Sequence, residues 1–438
     1  MPKPLSLPGP GCRFRPVMPS AAVQETIDVA SLRVGMYVHL DLGWLQHPFP
    51  LSSFRINSEE QIATIRSLGL KRVRWSSAQS EAESPAPATV APVEPPKTEP
   101  SAEELARREH RRRLAAERAG LLQCERQFAE ASRELKKAMD LLPSRPLEAG
   151  AQAVALAGGL AQKMMVEGDL CIRLLSEAAG DKASAHALNV ALVAMLMGRT
   201  FGLAEADMLD LGTGALMHDV GKLELPDRVR HREDHFSTAE NRLYEEHVAH
   251  GIAQARRMSL SPGATLVVAQ HHEHADGSGF PLRINTDRMS PLARIVALVN
   301  RYDNLCNPHV VARALTPHEA LSMLFAQQKT KFDTAILGAF IKMMGVYPPG
   351  SVVQLTDDRY AMVVAVNSSR PLKPRVLVHE TGVPRDEALV LDLEQTDGVG
   401  IRRSLRPTQL PPESLAYLSP RPRAAYFFEP ARENEQAR

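Results

Sequence analysis

Hydrophobic and polar positions follow several different rhythms along this chain. Ile27-Asp28-Val29 and Met36-Tyr37-Val38-His39-Leu40 alternate with the two-residue period of strands about a turn at Gly35. Glu59 to Leu68 places Ile62, Ile65 and Leu68 on one helix face, and Lys71 to Trp75 reads as a closing strand. These segments predict a small α+β module over 24–76. Residues 1–23, rich in Pro and Gly and without periodicity, are expected to be disordered. Residues 77–101, dominated by Ala, Pro, Glu and Ser, read as a linker. At Ser101 the order Ser-Ala-Glu-Glu predicts a helix start. The connecting helix over 102–146 carries Leu114, Leu121, Phe128, Leu135 and Leu142 at seven-residue spacing, with Cys124, Ala131 and Ala138 three positions after the second, third and fourth of them. Such a seam suits a coiled coil, which would make a homodimer through 102–142, or one long amphipathic helix lying on its own domain. Pro143 stops it.

Helix formers and recurrent turn signals then predict an all-helical block over 147–345, with no strand-like alternation. Alternation returns after Tyr347-Pro348-Pro349-Gly350, predicting a C-terminal β appendage over 346–420, followed by a loose Pro/Arg/Glu-rich tail over 421–438. The fold class expected is multidomain and mainly α.

Composition narrows the function. The 438 residues are 44% hydrophobic, enough for a large core, and only 5% aromatic, so that core is built on Leu, Val, Ala and Met. A formal net charge of +1 supplies no global field toward DNA or anionic lipid, so an anionic ligand must be held locally. Cys12, Cys124, Cys171 and Cys306 form no C-x-x-C pair, which fits a reducing cytoplasm. The longest apolar run, near Val190 to Met197, is far short of the roughly 20 residues a bilayer requires. The prolines at 2, 4, 8 and 10 interrupt any apolar core of a signal peptide. The expected location is cytoplasmic, with no membrane contact.

The candidate chemistry centres on the adjacent His218 and Asp219. A His-Asp pair alone is more often a satisfied polar pair than a ligand set. Its company changes that balance: His186, His247, and His271-His272 all interrupt or precede hydrophobic runs, where an unpaired imidazole is costly. A metal cluster gathers such ligands from separate helices of a bundle, and a bridging carboxylate lets neighbouring side chains serve two ions.

These motifs resemble the HD-GYP domain, a branch of the HD metal-dependent phosphohydrolases. In order they are His186 ahead of Asn189-Val190, HDVGK at 218–222 with Pro226-Asp227, Glu246-His247 with Gly251, HHEHADGSGFP at 271–281, and Leu292 to Ala297 leading into Tyr302-Asp303. Val34-Gly35-Met36-Tyr37-Val38 and Trp44-Leu45-Gln46-His47-Pro48-Phe49 look like the small domain of unknown function often fused in front of it. The resemblance implies an all-helical HD-type phosphohydrolase core and hydrolysis of cyclic di-GMP to pGpG or GMP. It implies two divalent metal ions, for which an imidazole-rich set suits iron or manganese better than magnesium. Paired cations can grip both the attacking and leaving oxygens of a phosphodiester. By position, His186, His218 and Asp219 would bind one metal, with Asp219 bridging, and His247, His271 and His272 the other. Asp219 and Lys222 are the candidate catalytic pair, Lys222 also as a phosphate clamp or a solvated helix residue. Gly277, Gly279 and Phe280 would shape the substrate loop, and Arg294 would meet a phosphate or form a structural ion pair.

Four positions depart from the family pattern. Phe280 stands for a tyrosine, Asn300 for a metal-binding aspartate, Lys182 for a glutamate of three-metal members, and His309-Val310-Val311-Ala312 for an Arg-Pro-Tyr-Arg segment. Asp303 is also present in the family and is not an evident substitute for the missing carboxylate. Two readings follow: a phosphodiesterase, or a receptor or scaffold that binds a cyclic dinucleotide or a partner signalling domain.

Overall fold

A computed structural model of the chain describes residues 25–42, 49, 53–76, 80, 101–176, 181–231 and 235–431. The expectations for residues 1–23, nearly all of the 77–101 linker and the last seven residues lie outside the described residues, as does most of the Trp44–Phe49 motif.

The chain forms two compact units. In the first, β1 (Glu25–Asp28), β2 (Tyr37–His39), β3 (Ser53–Arg55), α1 (Glu59–Ser67) and β4 (Arg72–Ser76) follow in order. The strands make an antiparallel sheet in the order β1-β4-β2-β3. Gly35 takes a positive φ of 93° at the turn where the alternation predicted one. Ile62 and Ile65 of α1 are buried, as are Val38 and Val73 of the sheet. Strand β3 was not evident from periodicity: three residues, Ser-Phe-Arg, are too few to show a rhythm.

The second unit opens with α2 (Ala102–Leu141), started by a capping box in which Ser101 and Glu104 satisfy each other's backbone N–H groups. From its middle onward the heptad seam is used within the chain. Cys124, Phe128, Ala131, Leu135 and Leu142 are buried in the same core as α3 (Pro146–Met164). The amphipathic reading therefore describes this stretch, while the early turns, with Leu105 51% exposed, stand in solvent.

Strand β5 (Leu170–Leu174) follows, then α4 (Lys182–Thr200), α5 (Glu205–Met217), α6 (Thr238–Glu245), α7 (His247–Arg257), α8 (Pro262–Gln270), α9 (Pro291–Cys306), α10 (Pro317–Gln327) and α11 (Thr334–Met344). The apolar run at 190–197 is the middle of α4, buried on every side. Among the described residues no helix is long and apolar enough to cross a membrane. The chain then turns to β6 (Val352–Leu355), β7 (Tyr360–Asn367), β8 (Arg375–Val378), β9 (Val390–Asp392), β10 (Ile401–Leu405), α12 (Pro412–Leu418) and β11 (Tyr426–Pro430).

Two expectations are corrected here. The block over 147–345 is not purely helical, because β5 lies within it, and within the tail the described residues 421–431 are not loose, because they contain β11. Both strands belong to the seven-stranded sheet built by the C-terminal strands, where β5 pairs with β7 on one edge and β11 on the other. The C-terminal β region is present as expected in part: five strands of its sheet come from 346–420, and β5 and β11 complete it. Strand β5 escaped notice because four of its five residues are fully buried, which erases the alternation of a one-sided strand. Strand β11 was hidden by the composition of its flanks, although Tyr426, Phe427 and Phe428 are all buried.

A buried ion network ties these long-range partners. Arg173 of β5 meets Glu117 of α2 at 3.2 Å and Glu429 of β11 at 2.8 Å, and Arg375 of β8 pairs with the same two carboxylates. With Arg173 only 4% exposed, removing one partner would leave a buried charge uncompensated. The tail is thus structural. Phe427→Ala should lower unfolding stability by about 3–5 kcal/mol in denaturant titration, whereas a loose tail would leave the midpoint unmoved.

Candidate metal centre

Three helices end at one place. Helix α5 stops at Met217 and hands over to His218 and Asp219; a short 3-10 turn over Val220–Glu224 follows. Helix α6 ends just before His247, and α8 just before His271. The last carbonyls of an α-helix have no partner within it. Each of these histidines supplies one: the Nδ1–H of His218 donates to Ala215 O at 2.7 Å, that of His247 to Tyr244 O at 2.5 Å, and that of His271 to Val268 O at 2.8 Å. A carbonyl only accepts, so Nδ1 carries the proton in all three, and Nε2 is left as the ligand atom. Helix C-termini carry partial negative charge, which favours a cation there.

His186 comes from the start of the second turn of α4, whose N-cap Asp181 accepts from the Ala183 and Ser184 N–H groups. Its Nδ1–H donates to Asp303 Oδ2 at 2.6 Å, so a carboxylate orients this ring as the carbonyls orient the others. Nothing local in the sequence around Asp303, three residues after Asn300, signals that it reaches back to α4.

The ligand atoms of His186, His218 and Asp219 form one group and those of Asp219, His247, His271 and His272 another, each set lying within 4.8 Å. Asp219 belongs to both. Its Oδ2 is 3.4 Å from His218 Nε2 and 3.7 Å from His186 Nε2, while its Oδ1 is 3.6 Å from both His247 and His271 Nε2. The adjacent His and Asp can diverge in this way because the α-helix has ended, with Asp219 at φ −98°, ψ 9°.

The donor set fits metal ions. His186 and His218 bring Nε2 atoms within 3.2 Å of each other, and His247 and His271 within 3.3 Å, although every one of these rings has its proton on Nδ1. Two lone pairs so close repel unless a proton or cation lies against them. Asp219 Oδ1 and His272 Nε2 are buried with no hydrogen-bond partner, a costly state that ligation relieves. Burial holds His218 and His272 below the ordinary imidazole range and His247 down to about 3, so these three are neutral ligands at pH 7. Burial raises the Asp219 carboxyl, but the Lys222 ammonium and His218 outweigh it and hold the group well below the usual range.

Lys222 Nζ lies 2.6 Å from Asp219 Oδ2 and 5.3 Å from the Tyr244 ring centre. Burial pulls its pKa down, but Asp219 more than offsets this, so the amine stays a cation. Gly221, the glycine of HDVGK, is required by close approach: a Cβ there would fall 1.9 Å from His247 O and 2.3 Å from Gly251 N. At Gly251 a Cβ would instead fall 2.9 Å from Val268 Cγ1 of α8.

The remaining candidates divide. Gly279 and Phe280 line the cavity above the metal centre. A Cβ at Gly279 would sit 2.4 Å from His274 N, and Phe280 stacks on His272 with ring centres 4.5 Å apart. Gly277 serves the turn through its φ of 76° and is not on the cavity wall. Glu273, fully buried, braces the same loop by accepting from Leu282 N and Ile284 N; it sat inside the motif with no role assigned. Arg294 is corrected as a substrate contact. Its guanidinium pairs with Asp333 at 3.2 Å and donates to Met289 O, away from the cavity wall, so it is a structural ion pair. Asn300 is buried beside the cavity, and its Oδ1 accepts from Asn304 Nδ2 at 2.6 Å.

The depressed histidines link the centre to pH. In the unfolded chain they bind protons near pH 6.5, while the folded metal-free protein resists until about 3 at His247. Their contribution to stability is therefore complete above pH 6.5 and is lost as pH falls toward 3, at about 1.4 kcal/mol per pH unit for each such group. Denaturant midpoints of chelator-treated protein should fall between pH 6.5 and 4, and His247→Gln should flatten that slope. An equal slope in both proteins would contradict the assignment.

Comparison with known proteins agrees with this geometry. The family described as "HD domain" matches residues 169–336, and the "Domain of unknown function (DUF3391)" matches 24–153, which takes in the first unit, the linker and α2. A cyclic di-GMP phosphodiesterase of Pseudomonas aeruginosa is 26% identical over 365 residues, covering 81% of this chain and 84% of the relative. The Borreliella burgdorferi cyclic di-GMP phosphodiesterase PdeB is 22% identical, covering 44% of this chain and 50% of its own length. A 3'3'-cGAMP-specific phosphodiesterase of Vibrio cholerae is 29% identical, covering 37% and 31%. Among solved structures, an HDGYP protein from Bdellovibrio bacteriovorus aligns with a TM-score of 0.40 at 15% identity, covering 72% of this chain and 97% of that one. Over 169–336 the chain matches the HD domain family, preceded by a DUF3391 match over 24–153, and most of its length is similar to a cyclic di-GMP phosphodiesterase.

Proposed function

We propose that the protein is a metal-dependent phosphodiesterase that hydrolyses cyclic di-GMP to pGpG or GMP. The observation that carries this reading is the sharing of Asp219 between two imidazole groups at the floor of a cavity of about 1050 Å³. That volume is ample for a dinucleotide, being just above the roughly 300–1,000 Å³ common for ligand pockets. Nine of its wall residues are lysine or arginine against four aspartates or glutamates, so an anion is favoured locally despite a net charge of +1. The activity of the P. aeruginosa relative, which matches most of the chain, supports the substrate.

In this reading His186, His218 and Asp219 hold one divalent ion, and His247, His271 and His272, with Asp219, a second. Iron or manganese suits the donor set. The ions, when bound, would supply Lewis-acid activation of the scissile phosphate and of the attacking water. The chain's own residues orient the ligands and line the cavity. Asp303 and three helix-end carbonyls fix the ligand tautomers. Lys222 keeps a positive charge at the cavity for a phosphate oxygen, and Phe280, stacked on His272, puts an apolar ring on the cavity wall beside the metal centre. A cytoplasmic location belongs to the same reading and agrees with the buried free thiols of Cys124, Cys171 and Cys306. A homodimer through α2 would have to use its exposed early turns, because the seam from Cys124 onward packs within the chain.

One observation favours the second reading, a receptor or scaffold for a cyclic dinucleotide. Asn300 offers a neutral amide oxygen that already accepts from Asn304, a weaker donor to a cation than a carboxylate.

Protein purified with iron or manganese should carry about two ions per chain and turn over cyclic di-GMP. His218→Ala should lose metal and reduce turnover about a hundredfold or more. Dinucleotide binding by a metal-free, inactive protein would favour the receptor instead. Asn300→Asp should raise metal affinity or rate; if both stay unchanged, position 300 is not a ligand.

A further inference from the structure

The C-terminal segment reaches the cavity as well as the sheet. Just before β11, the Ala424 N–H donates to Asn307 Oδ1 at 2.8 Å, and Ala424 O accepts from Asn307 Nδ2 at 2.9 Å and Asn189 Nδ2 at 3.0 Å. Tyr426 N–H donates to Asn189 Oδ1 at 3.2 Å. The same two amides also donate to Asp303 Oδ1, at 2.9 Å from Asn189 and 2.8 Å from Asn307. Asp303 Oδ2 in turn holds His186. The backbone beside Arg423 is therefore clamped to the residues that orient a candidate metal ligand.

The Arg423 side chain lines the cavity, and its Nη2 is buried without a hydrogen-bond partner. Two of the cations nearest the metal centre are already engaged: Lys222 with Asp219, and Arg230 with Asp227 and the carbonyls of Lys222 and Leu225. A sealed guanidinium nitrogen with no acceptor costs free energy until an acceptor arrives. A cyclic dinucleotide has two phosphodiesters. The metal centre takes one, and the other brings a full negative charge into the same cavity, where a planar guanidinium is the matching donor.

We propose that Arg423, delivered by the C-terminal segment, anchors the phosphate of the cyclic dinucleotide that is not at the metal centre. The assignment rests on the phosphodiesterase reading for its ligand. It makes the chain's end part of the substrate site as well as part of the fold.

The test uses full-length, metal-loaded protein with Arg423→Ala and Arg423→Lys, reading KM, kcat, the Kd for cyclic di-GMP and metal per chain. Arg423→Ala should raise KM and Kd roughly tenfold or more, move kcat less, and keep wild-type metal content, with Arg423→Lys recovering part of the affinity. Wild-type cleavage with KM and Kd unchanged in Arg423→Ala overturns the anchor alone. Loss of metal in both variants, with no rescue by lysine, assigns Arg423 a structural role and overturns it too. A metal-loaded wild type that neither binds nor cleaves cyclic di-GMP overturns the phosphodiesterase reading and the anchor together.

Discussion

The Asp219 carboxylate is the constraint around which the helical core is arranged. One oxygen faces His186 and His218, the other His247 and His271, and Lys222 stands against the first. A buried carboxylate is tolerated only with compensating charge. Here part of the compensation is Lys222, and two groups of imidazole nitrogens face the same atoms without protons to offer. An arrangement with that many acceptors and so few donors is stable around cations and costly without them.

Helix ends do most of the positioning. Three of the five imidazoles follow helix C-termini and give their Nδ1 protons to last-turn carbonyls that would otherwise lack partners. The same contact satisfies the helix, fixes the tautomer and aims Nε2. Backbone packing finishes the job, since Gly221 allows the HDVGK turn to approach α7 at a distance no side chain there would permit. His186 has no such carbonyl and depends on Asp303, which is held by Asn189 and Asn307. Its orientation is therefore sensitive to the C-terminal segment that those amides also bind.

The sheet and the helical core are likewise interdependent. β5 leaves the helical core to pair between β7 and β11, and the Arg173, Glu117, Glu429 and Arg375 network joins the long helix to β5, β8 and β11. The aromatic residues of β11 enter the same core as α4 and α9.

The candidate metal ligands were legible in the sequence because each sits in a short local signal. HDVGK, the His-His pair and the glycines around them report helix ends and tight turns over a few residues, and the structure brings all five histidines and Asp219 together. The N-terminal strands and α1 were legible for the same reason, since period and turn residues are local. Long-range partnership was not. β5 is buried on both faces and shows no alternation, Asp303 reaches α4 from α9, and Asn189 receives its hydrogen bond from Tyr426, 237 positions away. Arg294 and Arg423 make the contrast plain. The first stood in a family motif and is neutralised by Asp333, while the second stood in a segment read as loose and lines the cavity. Which arginine meets the ligand depends on which acceptors the folded chain leaves unpaired, and that accounting exists only once distant segments have been brought together.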